Sequence, residues 1–286
     1  MSGPAAPDSE SFPRSETEFD AVDSYRMPLM EHLRELRRRL VFALVAAGLG
    51  FAVCFNWVNE IWAFLVAPME GVLVATDADA SMVVTEPLEG FLTLLKVAGV
   101  AGLGLASPVI FAQMWMFIAP GLYAKEKKVV IPLMLSSTVL FLGGGAFCYF
   151  VILDVVLPFL IGVIPQVTPD DLHDVVIDTA AYLKISSYLT FVTRLIVAFG
   201  VTFQLPVIAF FLARIGLIDH HDMIRFFRYA VVGIFVIASI LTPPDIVSQI
   251  LLAGPLVILY GVGIIVAWAV STKEREAPPE DGAAAG

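Results

Sequence analysis

Charge is scarce in this chain: only 15% of its 286 residues are charged, cysteine occurs twice and histidine four times. Cys54 and Cys148 stand apart inside apolar stretches. That excludes a disulfide framework or a thiolate metal cluster and reads as two small buried hydrophobes. His32 is isolated and His220 and His221 sit in a basic loop with no ligand set around them, so no metal site is expected. No phosphate-cradling loop and no nucleophile–base constellation occurs, which argues against an enzyme and calls for no cofactor. Acids outnumber bases, 27 to 17, for a net charge of −10. That balance speaks against a nucleic-acid partner. What fills the chain instead is apolar: 58% hydrophobic residues and a mean hydropathy of +0.86. A soluble domain of this length has no use for so much, so the fold class is an all-α integral membrane protein.

The first 27 residues are polar, acidic and rich in Ser and Pro. They lack the apolar centre and small-residue cleavage site of a signal peptide and are expected to be a disordered cytoplasmic tail. Six apolar stretches follow, roughly Leu40 to Trp57, Leu92 to Trp115, Val129 to Phe150, Leu189 to Leu212, Phe226 to Leu241 and Ile246 to Val270. Since about 20 residues of helix cross the hydrocarbon, these predict six transmembrane helices within a domain over 28–270. The fifth stretch is short, and only Thr242, Pro243, Pro244 and Asp245 separate it from the sixth. The prolines must end a helix, so short fifth and sixth helices in a tight hairpin are expected. The segment 271–286 reads as a second cytoplasmic tail.

Fourteen of the 17 basic residues fall in segments on one side of the predicted membrane, and only Lys96, Lys184 and Arg194 belong to the other. The positive-inside rule then places both termini in the cytoplasm. Two longer acidic loops, roughly Asn59 to Gly90 and Asp154 to Tyr188, face the outer compartment.

Three groups of polar residues stand out. In Pro28 to Leu40, Leu29, Leu33, Leu36 and Leu40 line one helix face while Glu31, Arg34, Glu35, Arg37, Arg38 and Arg39 take the rest. The arginines serve as topology anchors, and Glu35 and Arg39 have the spacing of an intrahelical pair. Acids beside a negatively charged leaflet remain unexplained by that reading and suggest a cationic partner. The loop Phe117-Ile-Ala-Pro-Gly-Leu-Tyr-Ala-Lys-Glu126 joins spans two and three on the same side, with Pro120 and Gly121 breaking the helix and Tyr123 at the interface. It is either a plain connection with a locally neutralised acid or a second acidic contact on the face that carries Glu35. Within the spans, Gln204 precedes Pro206, and Asp245 and Gln249 open the sixth stretch. Polar groups at depth are functional candidates, although Gln204 also suits backbone freed by Pro206 and Asp245 suits a helix cap. The glycines Gly99, Gly102 and Gly104, like Gly143, Gly144 and Gly145, read as close-packing sites between helices.

Four of these stretches together carry a resemblance: Pro28-Leu-x-x-His-Leu-x-Glu-Leu-Arg-x-Arg-Leu; Ser107-Pro108 followed by Phe117-Ile-Ala-Pro-Gly-Leu-Tyr-x-x-Glu126; Phe199-Gly-Val-x-Phe203-x-x-Pro206; and Leu241-Thr-Pro-Pro-Asp245-x-x-Ser-Gln249. In this order they resemble the TatC family, six-span receptor subunits of twin-arginine protein translocases. The resemblance implies a protein of the bacterial cytoplasmic (inner) membrane that binds twin-arginine signal peptides. It implies single-span partners, TatA and TatB, a homo-oligomer within the receptor complex, contact with membrane lipids, and export of folded proteins driven by the proton-motive force. It assigns signal-peptide binding to Glu35, Arg37, Phe117, Pro120, Tyr123 and Glu126, and partner-helix contacts to Gln204, Asp245 and Gln249. Many family members carry glutamate where Gln204 stands, which weakens a proton-handling role at that position. The rival reading is a secondary transporter or channel whose small solute passes Gln204, Asp245 and Gln249.

Overall fold

The computed structural model describes residues 16–75, 80–118, 130–162, 181–242 and 246–275. Its six helical stretches long and apolar enough to span a membrane are Met30–Asn56, Pro87–Ile118, Val130–Gly162, Ile185–Arg214, His220–Leu241 and Ile246–Val270. Each predicted span is present.

The first span belongs to a helix, α1 (Glu16–Asn56), which starts within the polar segment expected to be a tail. A second helix, α2 (Val58–Ala75), follows after a single turn residue, Trp57. Next come a short strand, β1 (Ala80–Val83), and the second span, α3 (Pro87–Ile118). The third span is α4 (Val130–Phe147), one π turn over Cys148–Ile152, and α5 (Leu153–Gly162). A strand β2 (Ala181–Lys184) leads into the fourth span, α6 (Ile185–Thr202) and α7 (Leu205–Arg214). The fifth and sixth are α8 (His220–Leu241) and α9 (Ile246–Arg275).

The last two helices correct an expectation. α8 is 22 residues long and α9 is 30, so only the apolar stretch of the fifth span is short. α8 begins at His220 because Asp219 and Asp222 form a reciprocal capping box that satisfies backbone donors at its start. Its first turns are polar, and hydropathy alone misses them. Residues 243–245 lie outside the described residues, and the expected hairpin turn with them.

The segments read as outer loops contain structure that their composition hides. α2 carries Pro68, which supplies no N–H to the carbonyl of Phe64, four residues back. The Tyr149 hydroxyl donates to that carbonyl oxygen at 2.6 Å, with its ring stacked on Phe64 at 4.3 Å, and the Tyr188 hydroxyl donates to the carbonyl of Leu65 at 2.8 Å. Two tyrosines from the third and fourth spans therefore pin α2 where proline has weakened its own ladder. β1 and β2 pair in parallel, from Ala80 with Ala181 to Val83 with Lys184, and so hold the entrances of the second and fourth spans together.

α1 packs along α3 more extensively than any other two elements pack. Glycine permits it: a Cβ on Gly50 would lie 2.4 Å from the carbonyl oxygen of Gly102, and one on Gly102 would lie 2.5 Å from the backbone nitrogen of Phe51. Gly144 and Gly200 do the same for α4 against α6, where added Cβ atoms would meet Phe199 and Phe203, or Phe141, within 2.9 Å. Gly99 and Gly143 face open space, so the close-packing reading does not extend to them. Cys54 and Cys148 are both buried and free.

Candidate functional site

The amino-terminal charged turns and the far end of the second span meet at one edge of the molecule. The His32 and Phe117 rings stack with centroids 4.4 Å apart and planes 20° from parallel. His32, Glu35 and Arg39 share one face of α1 by their spacing, as Gln113 and Phe117 share one face of α3. A cavity of about 290 Å³ between these faces is lined by Glu35, Arg38, Arg39, Phe42 and Gln113. Two residues absent from the sequence-derived site, His32 and Gln113, thus help to build it. Their spacings to the expected members, three residues from His32 to Glu35 and four from Gln113 to Phe117, were the available signal.

Within the cavity Glu35 is already engaged. Arg39 donates to its Oε1 from Nε at 2.9 Å and from a terminal nitrogen at 2.5 Å. Both side chains stay partly exposed, 32% for Glu35 and 23% for Arg39. A partly exposed i,i+4 pair of this kind contributes only about 0.3 to 0.5 kcal/mol, so breaking it costs little. Arg37 is exposed, and Arg38 lies over the Phe42 ring at 5.9 Å. Phe117 is half-buried, with its ring against His32. Pro120, Tyr123 and Glu126 fall outside the described residues, as does Asp245.

The intramembrane polar candidates are tied down rather than gathered. Gln204 occupies the break between α6 and α7, is 8% exposed, and donates through Nε2 to the Ser137 carbonyl at 2.9 Å. The Ser137 hydroxyl accepts from Trp115 Nε1 at 2.8 Å, which links three spans through one serine. Gln204 therefore fastens α4 to the Pro206 break, close to the backbone-tethering reading of its sequence. Gln249 donates to the Phe235 carbonyl at 2.9 Å across α8 and α9. A solute path along these residues finds no support in the two that are described: both amides donate to backbone. At the start of α8, Asp219, His220 and His221 bring ligand-capable atoms within 4.8 Å of one another, but the Asp219 carboxylate is committed to the helix cap and to His220 Nδ1, 2.7 Å away.

Comparison with known proteins bears on the same segments. The family model described as Sec-independent protein translocase protein (TatC) matches residues 31–255. The chain is 40% identical over 250 residues to the Sec-independent protein translocase protein TatC of Koribacter versatilis, covering 87% of this chain and 88% of that one. It is 40% identical over 248 residues to that of Helicobacter pylori strain J99, with 87% and 92% covered. Among solved structures, one titled as a twin arginine translocase receptor, TatC, superposes with a TM-score of 0.72 at 34% identity, over 84% of this chain and 99% of the other.

Proposed function

The chain belongs to the TatC family of Sec-independent protein translocases, and from that premise we propose that it is the receptor that takes the paired arginines of a signal peptide in the cavity at Glu35. A multi-pass protein of the bacterial inner membrane, it holds both termini in the cytoplasm in this reading. The polar ends beyond about 28 and 270 stay in water there, consistent with the bias of basic residues to that face.

The observation that carries the proposal is the stacking of His32 on Phe117. It sets the acid-bearing start of the first span beside the end of the second, where the loop containing Glu126 begins. A guanidinium is a planar fork, and a carboxylate accepts both of its parallel N–H groups. Arg39 on Glu35 is an internal stand-in for that contact, since its two nitrogens already occupy the oxygen that a peptide arginine would take. Glu126 supplies the second carboxylate, with Arg37, Pro120 and Tyr123 bordering the peptide. TatA and TatB, single-span subunits, then join copies of this chain on the membrane-embedded surfaces near Gln204, Asp245 and Gln249. The proton-motive force drives export of the folded cargo, and the protein itself breaks no bond.

Site-specific crosslinking tests this reading. A photoreactive group beside the arginine pair of a signal peptide should label the α1 start and the end of α3. Labelling should fall tenfold or more in Glu35→Ala and Glu126→Ala variants. Undiminished labelling in both variants contradicts the assignment.

A further inference from the structure

The three basic residues left on the face opposite the peptide cavity do not scatter over it. Lys96, Lys184 and Arg194 all line one open cavity of about 640 Å³, formed by the beginnings of α3 and α6 and the end of α8. Two acids, Glu86 and Glu89, share the lining. Glu89 is engaged through one oxygen, with Lys184 Nζ 2.8 Å from its Oε1 and the Ser186 hydroxyl donating to the same atom, while its Oε2 is buried without a hydrogen-bond partner. Lys96 reaches only the Thr190 hydroxyl, at 3.4 Å, and Arg194 makes no ion pair or hydrogen bond among the described residues.

Depth makes this pair unusual. Lys96 and Arg194 are each the tenth residue of their helices, about 13 Å of axial rise below the helix starts. Basic side chains inside spans are costly unless they meet an anion or reach water. The other walls mix the apolar side chains of Leu88, Leu92, Phe191 and Ile240 with serine and threonine hydroxyls. A small hydrophilic anion would leave the apolar side chains uncovered, whereas an amphiphile satisfies both surfaces.

We propose that this cavity binds the headgroup phosphate of an anionic phospholipid, with Lys96 and Arg194 on the phosphate and the acyl chains against the apolar walls. Lys184 is held back by Glu89 and orders the rim. β1 and β2 keep the two cation-bearing helices adjacent, because they join at the entrances of α3 and α6. The site is independent of signal-peptide binding and lies on the other face.

Native mass spectrometry of the full chain, released from detergent with added phosphatidylglycerol or phosphatidylcholine, tests the proposal. One phosphatidylglycerol should be retained at concentrations at least tenfold below those needed for phosphatidylcholine, whose choline cation neutralises the same phosphodiester and is repelled by Lys96 and Arg194. The double variant Lys96→Gln, Arg194→Gln should lose that preference, while Arg225→Gln on the opposite face keeps it. Millimolar inorganic phosphate should leave the lipid bound; displacement by phosphate alone identifies a free-anion site and overturns the lipid assignment. A cavity built for the carboxylate of a partner helix would retain both lipids equally, which also overturns it. Because the double variant removes two charges at once, Arg194→Lys serves beside it and should keep phosphatidylglycerol within about threefold of the native chain. In the unaltered protein, phosphatidylglycerol carrying a headgroup photolabel should mark the peptides that contain Lys96 or Arg194, and labelling confined to other peptides contradicts the proposal.

Discussion

Glu35 gives up little to bind a ligand. Its partner Arg39 sits one turn away on the same helix, so exchanging that arginine for one from a peptide swaps like for like. In the proposed complex the favourable balance comes from the fork geometry and a cavity whose walls include Phe42 and Gln113. Glu35→Gln should therefore weaken binding of a twin-arginine peptide about tenfold to hundredfold, the equivalent of about 1.5 to 3 kcal/mol, as read by fluorescence anisotropy. Its thermal stability in detergent should stay within about 0.5 kcal/mol of the native chain, because only a partly exposed i,i+4 pair is lost. A parallel loss of stability and affinity would place Glu35 in the fold rather than the site. Tyr149 is the converse case, a residue whose work is structural. Tyr149→Phe leaves the Phe64 carbonyl without its donor and should cost about 0.5 to 1.5 kcal/mol in a thermal unfolding series, with peptide affinity unchanged.

Elements meet where glycine lets backbones touch. At the crossing of α1 and α3 a Cβ on Gly102 would enter backbone atoms of Gly50 and Phe51, which no rotamer change relieves. Gly102→Leu should destabilise the bundle by at least about 1 to 3 kcal/mol and reduce the yield of monodisperse protein on size exclusion. Gly143→Ala, facing open space, should be neutral or slightly stabilising in the same assay. Both glycines look alike in the sequence, as members of similar glycine-rich stretches. Which one lies at a crossing depends on a partner helix distant in the chain, and that is why the sequence reading holds at Gly102 and Gly144 and fails at Gly99 and Gly143. The same limit hid α2 and the β1–β2 pair. Pro68 reads as a breaker until Tyr149 is seen supplying the missing donor and Tyr188 bracing the next carbonyl, and a four-residue parallel pair leaves no local pattern. The six spans were legible because hydropathy over about 20 residues is a local property. The lengths of α8 and α9 were not, because capping and polar first turns extend a helix past its apolar stretch.

For the whole molecule the arrangement has two faces of different chemistry. Among the described residues, one carries the arginines around the Glu35 cavity, and the other carries Lys96, Lys184 and Arg194, drawn into a single cleft. This division rests on orientation, which a membrane-impermeant maleimide reads directly. Cys54 and Cys148 are buried and should react slowly, so Glu60→Cys should label in intact cells while Met30→Cys labels only after the membrane is opened. The opposite pattern inverts the assignment of both cavities. The site itself was half legible: the acid among arginines drew attention to Glu35, but the stacking partner and the cavity wall required the packing of α1 on α3. Binding of a twin-arginine signal peptide to the full chain in nanodiscs, compared with the same peptide carrying two lysines, tests the central claim most directly. The fork geometry predicts at least a tenfold preference for arginine, lost when Glu35 and Glu126 are both changed to Gln. Equal affinity for the two peptides would contradict it.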